Sequence, residues 1–298
     1  MWREKEKIGN DLYEVVKQDI PDLQFVIYKN GKRIGTVDEY REVNVLMNQI
    51  RTEANELSAK ISKLKALIDA SDNIVFFGGA GVSTESGLPD FKGDKGLYNL
   101  IHSENQTETP EYMMSARCLY KEPERFFENY RNNFNCLKAK PNITHHYLKK
   151  LEDQGKLKAI VTQNIDGLHQ KAGSSNVFEL HGTMHRCYCT KCQKEYPGEY
   201  IFETEGIPRC ECGGIIRPDI VLYGEMLPEA YGFSQYYIYH ADLLIVAGSS
   251  LTVEPANGLV RVFGGKHLVI INKTPTQYDN EAELVIHESL GNVIIQLL

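Results

Sequence analysis

The stretch FELHGTMHRCYCTKC, residues 178–192, places two histidines and three cysteines within fifteen positions. Imidazole moves protons near neutral pH, and both imidazole and thiolate bind zinc, so the stretch holds either one metal site or two devices. Further along the chain, Cys189-x-x-Cys192 and Cys210-x-Cys212, 17 residues apart, make a set of four thiolates. Paired cysteines at short spacing wrap one tetrahedral Zn²⁺, and a full four-cysteine shell leaves no position open for water. The second pair is one residue tighter than the common spacing, so Cys187 stands as an alternative ligand. A redox-active Cys189–Cys192 pair stands as an alternative use. His181 and His185 are four apart, which suits metal binding on a helix, but VFEL before His181 reads as a strand and Gly182 interrupts a helix. The expectation is therefore two devices. His181 ends a strand as a base, and Cys189, Cys192, Cys210 and Cys212 open a structural zinc module holding one ion. His185 reads as a surface or turn residue, His169 as support for the loop before it, and Cys118 and Cys136 as core or surface thiols.

A second group lies in IVFFGGAGVSTESGLPDF, residues 74–91. Gly79, Ala80 and Gly81 lack bulk, so a phosphate can approach their N–H groups at a helix start. The next glycine, Gly87, falls six positions after Gly81 rather than three, so a tight turn is the alternative. Polar residues also cluster after several strand-like runs: Gln163-Asn164-Ile165-Asp166, His181, Gly248-Ser249-Ser250 and Asn272. Each alone could be a cap or turn residue, but together they argue for a bound nucleotide at strand carboxyl ends.

These residues need a scaffold. IVFFG (74–78), AIVTQN (159–164), VFEL (177–180), DIVLY (219–223), LLIVAG (243–248), HLVIIN (267–272) and ELVIH (283–287) are continuous apolar runs. Such runs suit strands of a parallel sheet covered on both faces, and helix-like stretches lie between many of them. The expected fold is an α/β, Rossmann-like doubly wound sheet, with a mixed α+β domain as the alternative. Residues 101–144 and 185–217 interrupt the rhythm and are expected to form a smaller helical and zinc module. Residues 1–57 are a different text. Asn30-Gly31 between strand-like runs predicts a hairpin, and Val43, Leu46, Ile50, Ala54, Leu57, Ile61, Leu64 and Ile68 predict an amphipathic helix. That helix is either a partner-binding or coiled-coil element or, the favoured reading, packed on its own domain.

The net charge of −7 argues against a nucleic-acid binder working by bulk electrostatics. The start, MWREKEKIGND, is too charged for a signal peptide, and no apolar run approaches the ~18 residues that cross a bilayer. Clustered cysteines in such a chain predict a metal site in a reducing cytoplasm, with no membrane partner.

Taken together, these stretches resemble the sirtuins, NAD-dependent protein-lysine deacylases, across residues 58–298. GAGVSTESGLPDF looks like the family's cofactor loop, TQNIDGLHQKAG (162–173) its nicotinamide pocket, and ELHGT (179–183) its catalytic histidine segment. RPDIVLYGEMLP (217–228) is similar to its substrate loop, and AGSSLTVEPA (247–256) and INKTPT (271–276) to its adenosine contacts. The resemblance implies that Gly79, Ala80, Gly81 and Thr84 lie against the NAD phosphates and ribose, and that Phe91 shields the ribose C1′ carbon. It implies that Ile165 and Asp166 hold the nicotinamide carboxamide, and that Gln163 and Asn164 address the adjoining ribose. Gly248, Ser249, Ser250 and Asn272 fall on the adenosine side. It further implies that an acyl-lysine oxygen attacks C1′ while neutral His181 takes a proton from the ribose hydroxyls. Val221, Leu222, Tyr223, Gly224 and Glu225 would receive the acylated-lysine peptide as an added strand.

Two departures stand out. The family's Asp-Phe-Arg is Asp90-Phe91-Lys92 here, which keeps the charge and loses the planar fork. Members that prefer acidic acyl groups carry Tyr-x-x-Arg where this chain has Asn129 and Asn132, which favours neutral acyl chains such as acetyl. Alternative outcomes of the same fold are mono-ADP-ribosyl transfer, NAD hydrolysis, or a non-catalytic NAD-sensing module.

Overall fold

A computed structural model of the chain describes residues 3–18, 24–89 and 109–298. Its backbone contacts divide the chain into two units, residues 1–63 and 64–298.

In the first unit β1 (Arg3–Ile8), β2 (Asp11–Gln18), β3 (Gln24–Lys29) and β4 (Lys32–Val37) form an antiparallel sheet in the order 1-2-3-4. Asn30 and Gly31 join β3 to β4 with φ of 49° and 78°, the pair of positive values a two-residue hairpin turn requires. The expected hairpin is thus half of a larger sheet. Strand β1, REKEKI, carries one apolar residue and is exposed along most of its length, so no hydrophobic pattern announces it. Tyr13, Val15, Phe25 and Ile27 bury against Val43 and Met47 of α1 (Tyr40–Ala70), which packs the start of that helix on its own sheet.

The second unit contains β5 (Ile74–Gly78), β6 (Leu157–Thr162), β7 (Val177–Glu179), β8 (Gly182–Cys189) and β9 (Glu195–Pro197). They are followed by β10 (Ile216–Ile220), β11 (Leu243–Ala247), β12 (His267–Ile271) and β13 (Leu284–Ile286). Six of them make a parallel sheet in the order β13-β12-β11-β5-β6-β7. Counted within the sheet this is 3-2-1-4-5-6, the order of dinucleotide-binding folds, whose direction reverses between β5 and β11. Every residue of β5 and β11 is buried, which explains why those runs are apolar without alternation.

DIVLY is not a strand of this sheet. Asp219 and Ile220 end β10, which pairs antiparallel with β8 in a separate sheet ordered β10-β8-β9. The run is apolar because Ile220 and Leu222 fill a second core. That core also takes residues from α2 (Pro110–Met113) to α4, namely α3 (Ala116–Lys121) and α4 (Pro123–Asn133), including Phe126, Phe127 and Tyr130. The remaining α-helices among the described residues are α5 (Ile143–Asp153), α6 (Leu168–Lys171), α7 (Glu199–Glu203), α8 (Ala230–His240) and α9 (Leu290–Leu297). Among the described residues no helix is long and apolar enough to cross a membrane.

Candidate active site

The loop after β5 runs through two single turns of 3-10 helix, Ala80–Val82 and Thr84–Ser86. Its glycines serve first to seat the loop. The Gly79 amide donates to Ala247 O at 3.1 Å and the Gly81 amide to Gly248 O at 2.8 Å. A Cβ on Gly81 would come within 2.6 Å of Gly248 Cα, and Gly248 itself has φ of 60°, so two backbones touch where side chains cannot fit. The loop is fastened from its other side by Asn142, whose Nδ2 donates to Val82 O at 2.8 Å and to Ser86 Oγ at 3.1 Å. The same residue caps α5 by accepting the Thr144 amide at 3.0 Å.

Beside this loop the chain leaving β6 turns inward. Buried Asn164 donates from Nδ2 to Gly79 O and to Ser83 Oγ, both at 3.1 Å. Ser83 Oγ in turn donates to Asp166 Oδ2 at 2.7 Å, and the Leu168 amide to Asp166 Oδ1 at 2.9 Å. Burial raises the Asp166 carboxyl above the usual carboxylate range, against the pull of those two bonds. Gln163 Oε1 accepts from Ser249 Oγ at 2.8 Å, which joins the ends of β6 and β11. Ser250 bonds Thr252, and Asn272 Nδ2 donates to Thr274 O at 2.8 Å. Thr84 Oγ1 donates to Gly81 O at 3.1 Å. Phe91 and Lys92, expected in this loop, lie outside the described residues.

His181 lies two residues after β7, at the carboxyl end of the strand as expected. Its Nδ1 lies 2.9 Å from Gln163 O, and a carbonyl only accepts, so Nδ1 carries the proton and Nε2 the lone pair. Burial holds this imidazole below the ordinary histidine range, so it is neutral at pH 7. His185, expected as a surface or turn residue, lies within strand β8. Half-buried, it donates from Nε2 to Asp166 O at 2.8 Å and so braces the loop from below. His169 packs rather than bonds: it is buried, and neither ring nitrogen has a partner among the described residues.

The segment Val221–Glu225 hangs from this histidine, because the Val221 amide donates to His181 O at 2.9 Å. Tyr223 pairs through its own backbone with the link between α2 and α3, donating to Met114 O at 3.0 Å and accepting from Ala116 N at 3.1 Å. Glu225, half-buried, bonds Arg217, a residue that spacing gave no reason to single out. Asn129 is buried with its Nδ2 at 3.5 Å from Met114 Sδ, and Asn132 is exposed.

Cys189, Cys192, Cys210 and Cys212 converge with all four sulfurs within 4.8 Å of one another. Tetrahedral zinc with bonds of about 2.3 Å puts its sulfurs about 3.8 Å apart. Cys189–Cys212 at 3.4 Å and Cys192–Cys210 at 3.6 Å lie close to that spacing, so shifts of a few tenths of an ångström to about 1 Å would seat one ion. Cys187 is outside the set, its thiol 3.9 Å from Gly198 O and pushed up to about 12 by burial. Tyr196 donates to Cys210 Sγ at 3.1 Å, a supporting bond that becomes visible only in the fold.

A doubly wound sheet with polar groups at its switch point is the arrangement of dinucleotide-binding folds, and the four-cysteine satellite is a cluster that could hold a metal ion. The Sir2 family profile matches residues 79–255, and the chain belongs to that family. It is 53% identical over 238 residues to an NAD-dependent protein deacetylase of Clostridium acetobutylicum, a match spanning 79% of this chain and 96% of the relative. A protein of the same name from Staphylococcus epidermidis is 48% identical over 240 residues, 80% of this chain and 96% of the relative. A solved Sir2 with p53 peptide and NAD⁺ superposes with a TM-score of 0.70 at 38% identity, over 79% of this chain and 95% of that one. Sir2Tm bound to a propionylated peptide gives 0.71 at 36% identity, over 80% and 96%.

Proposed function

We propose that this chain is an NAD-dependent protein-lysine deacetylase that transfers the acyl group to ADP-ribose and releases nicotinamide. The observation that carries the reading is His181, neutral and with Nε2 unprotonated, beside the Asn164–Asp166 loop in a chain 53% identical to a named deacetylase. NAD, when bound, supplies the electrophilic ribose carbon and the leaving group. The residues then divide the work. Ile165 and Asp166 hold the carboxamide, Gln163 and Asn164 the adjoining ribose, and Gly79, Ala80, Gly81 and Thr84 face the phosphates. Gly248, Ser249, Ser250 and Asn272 serve the adenosine side. Nε2 of His181 removes a proton from the ribose hydroxyl, and its depressed basicity keeps it unprotonated for that step. Val221–Glu225 receives the acyl-lysine peptide, and the absence of a cation at Asn129 and Asn132 favours a neutral acyl group.

Zinc held by the four cysteines orders the small module and leaves no open ligand position for chemistry. We read the compartment as the reducing cytoplasm, where grouped thiols stay available to the metal, and the partner as an acylated protein rather than nucleic acid or membrane. The test is product analysis by mass for the protein and His181→Ala, with an acetyl-lysine peptide, with and without NAD. Stoichiometric nicotinamide, free lysine and O-acetyl-ADP-ribose, lost in the variant, are expected. Nicotinamide release without peptide would make the chain an NAD hydrolase instead, and biological activity unchanged by His181→Ala would make it a sensor.

A further inference from the structure

Arg217 is a charge with almost no access to water: its side chain is 3% exposed. Such a cation is stable only where its donors are matched, and here they are. Its Nη1 and Nη2 bind the two carboxylate oxygens of Glu225, the second at 2.9 Å, and Nη2 also donates to Ile220 O at 2.7 Å. Its Nε donates to Pro218 O at 3.3 Å, and the guanidinium lies 5.6 Å from the Tyr188 ring centre on β8. Glu225 closes the other side, since its Oε2 also accepts the Leu222 amide at 2.9 Å. Burial works to raise the Glu225 carboxyl, yet the bonds to Arg217 and Leu222 hold it below the usual carboxylate range.

The segment from Ile220 to Glu225 is thereby closed at both ends by one ion pair. Arg217 grips the carbonyl where β10 ends, and Glu225 returns from beyond the turn at Gly224, which has φ of 91°. Between these points the Val221 amide is bound to the carbonyl of His181. One clamp therefore fixes both the shape of the loop and its distance from the histidine. Lysine would keep the charge but lose the planar bidentate fork that here spans the Glu225 carboxylate and the Ile220 carbonyl.

We propose that the Arg217–Glu225 pair is the device that positions the peptide, so that Arg217 governs peptide binding without touching the peptide and Glu225 serves the loop rather than the substrate. The proposal rests on Val221–Glu225 being the peptide loop. Arg217→Lys keeps the charge and loses the fork; Glu225→Gln keeps the size and an acceptor for Leu222 and loses the charge. Each is expected to raise the peptide KM about tenfold or more, with the double variant costing less than the product of the two. The affinity for ADP-ribose, measured by calorimetry, should stay within about twofold, and zinc content should not change.

A peptide KM within about twofold of the unaltered protein in folded Glu225→Gln would overturn the proposal. So would equal losses for peptide and ADP-ribose, which mean a general loosening. Glu225→Gln, being isosteric, keeps the test open if Arg217→Lys does not accumulate as folded protein. Absence of NAD-dependent deacetylation in the unaltered protein is a separate result, which overturns the functional reading and this proposal with it.

Discussion

His145 on α5 and His169 on α6 meet inside the molecule, their ring centres 4.8 Å apart. Their exposures are 0% and 1%, and the Phe76 ring lies 6.2 Å from that of His169. His145 Nδ1 is engaged by Asn142, but its Nε2 and both nitrogens of His169 lack partners among the described residues. Burial pushes His145 down to about 4 and His169 to about 3, from an ordinary value of 6.5. Both rings are thus neutral in the fold at pH 5, while the unfolded chain has taken up both protons. The unfolded state binds more protons, so stability falls as the pH falls below about 6.5. From 6.5 to 5 each ring costs about 1.5 × 1.36, or about 2 kcal/mol, and the pair about 4 kcal/mol. That is a large part of the ~5–15 kcal/mol of a typical domain.

Urea unfolding at several pH values between about 8 and 5 measures the effect against His169→Leu, a change of similar volume that breaks no hydrogen bond. Between those limits the variant should lose about 2 kcal/mol less than the unaltered protein. Parallel pH curves for the two would refute the reasoning, whatever their absolute stabilities.

Two further predictions concern what holds the loops. Asn142→Ala should cost about 1–2 kcal/mol by uncapping α5, and should weaken ADP-ribose binding by freeing Val82 and Ser86. Asn142→Asp should recover the thermal stability but not the affinity, because it restores the cap without the Nδ2 donors; recovery of both would separate the loop from this contact. Cys210→Ser should lower bound zinc below one ion per chain and open the amides of β8 and β10 to hydrogen exchange, with the parallel sheet still protected. Retained amide protection in the zinc-free variant would deny the metal a structural role.

What the sequence disclosed and what it concealed follow from the range of the interactions involved. Continuous apolar runs report burial on two faces, so β5, β6, β11 and β12 were readable one at a time. The four cysteines were readable because metal ligands come in short-spaced pairs. DIVLY had the same composition as a parallel strand, but its burial comes from Phe126, Phe127 and the cysteine module, which no local pattern specifies. The glycine loop was legible as a place of close approach. That its Gly79 and Gly81 amides are bound to the end of β11 depends on residues some 170 positions away. His185 and Arg217 were hidden because no spacing rule pairs them with the Asp166 carbonyl and the Glu225 carboxylate, bonds that form only in the folded chain.

The pairing of β8 with β10 resolves the crowding of histidines and cysteines in residues 178–192. Strand β8 begins at Gly182, next to His181, and ends at Cys189, one of the four converging cysteines. At about 3.3 Å per residue, eight steps separate His181 from Cys189 by about 26 Å, far too great for an ion bound there to polarise anything that His181 touches. What crosses that distance is register. Ile216 pairs with Cys189 at one end of the ladder and Ile220 with Gly182 at the other, and a Cβ on Gly182 would collide with Asp219 O. A metal bound by the four cysteines would hold the far end of this ladder, while the loop that leaves β10 binds the carbonyl of His181 at the near end. Loss of zinc should therefore reach the chemistry as a displacement of Val221–Glu225 and appear in the peptide KM before it appears in ADP-ribose affinity. The opposite order would mean that the four cysteines act on the cofactor loop by some other path.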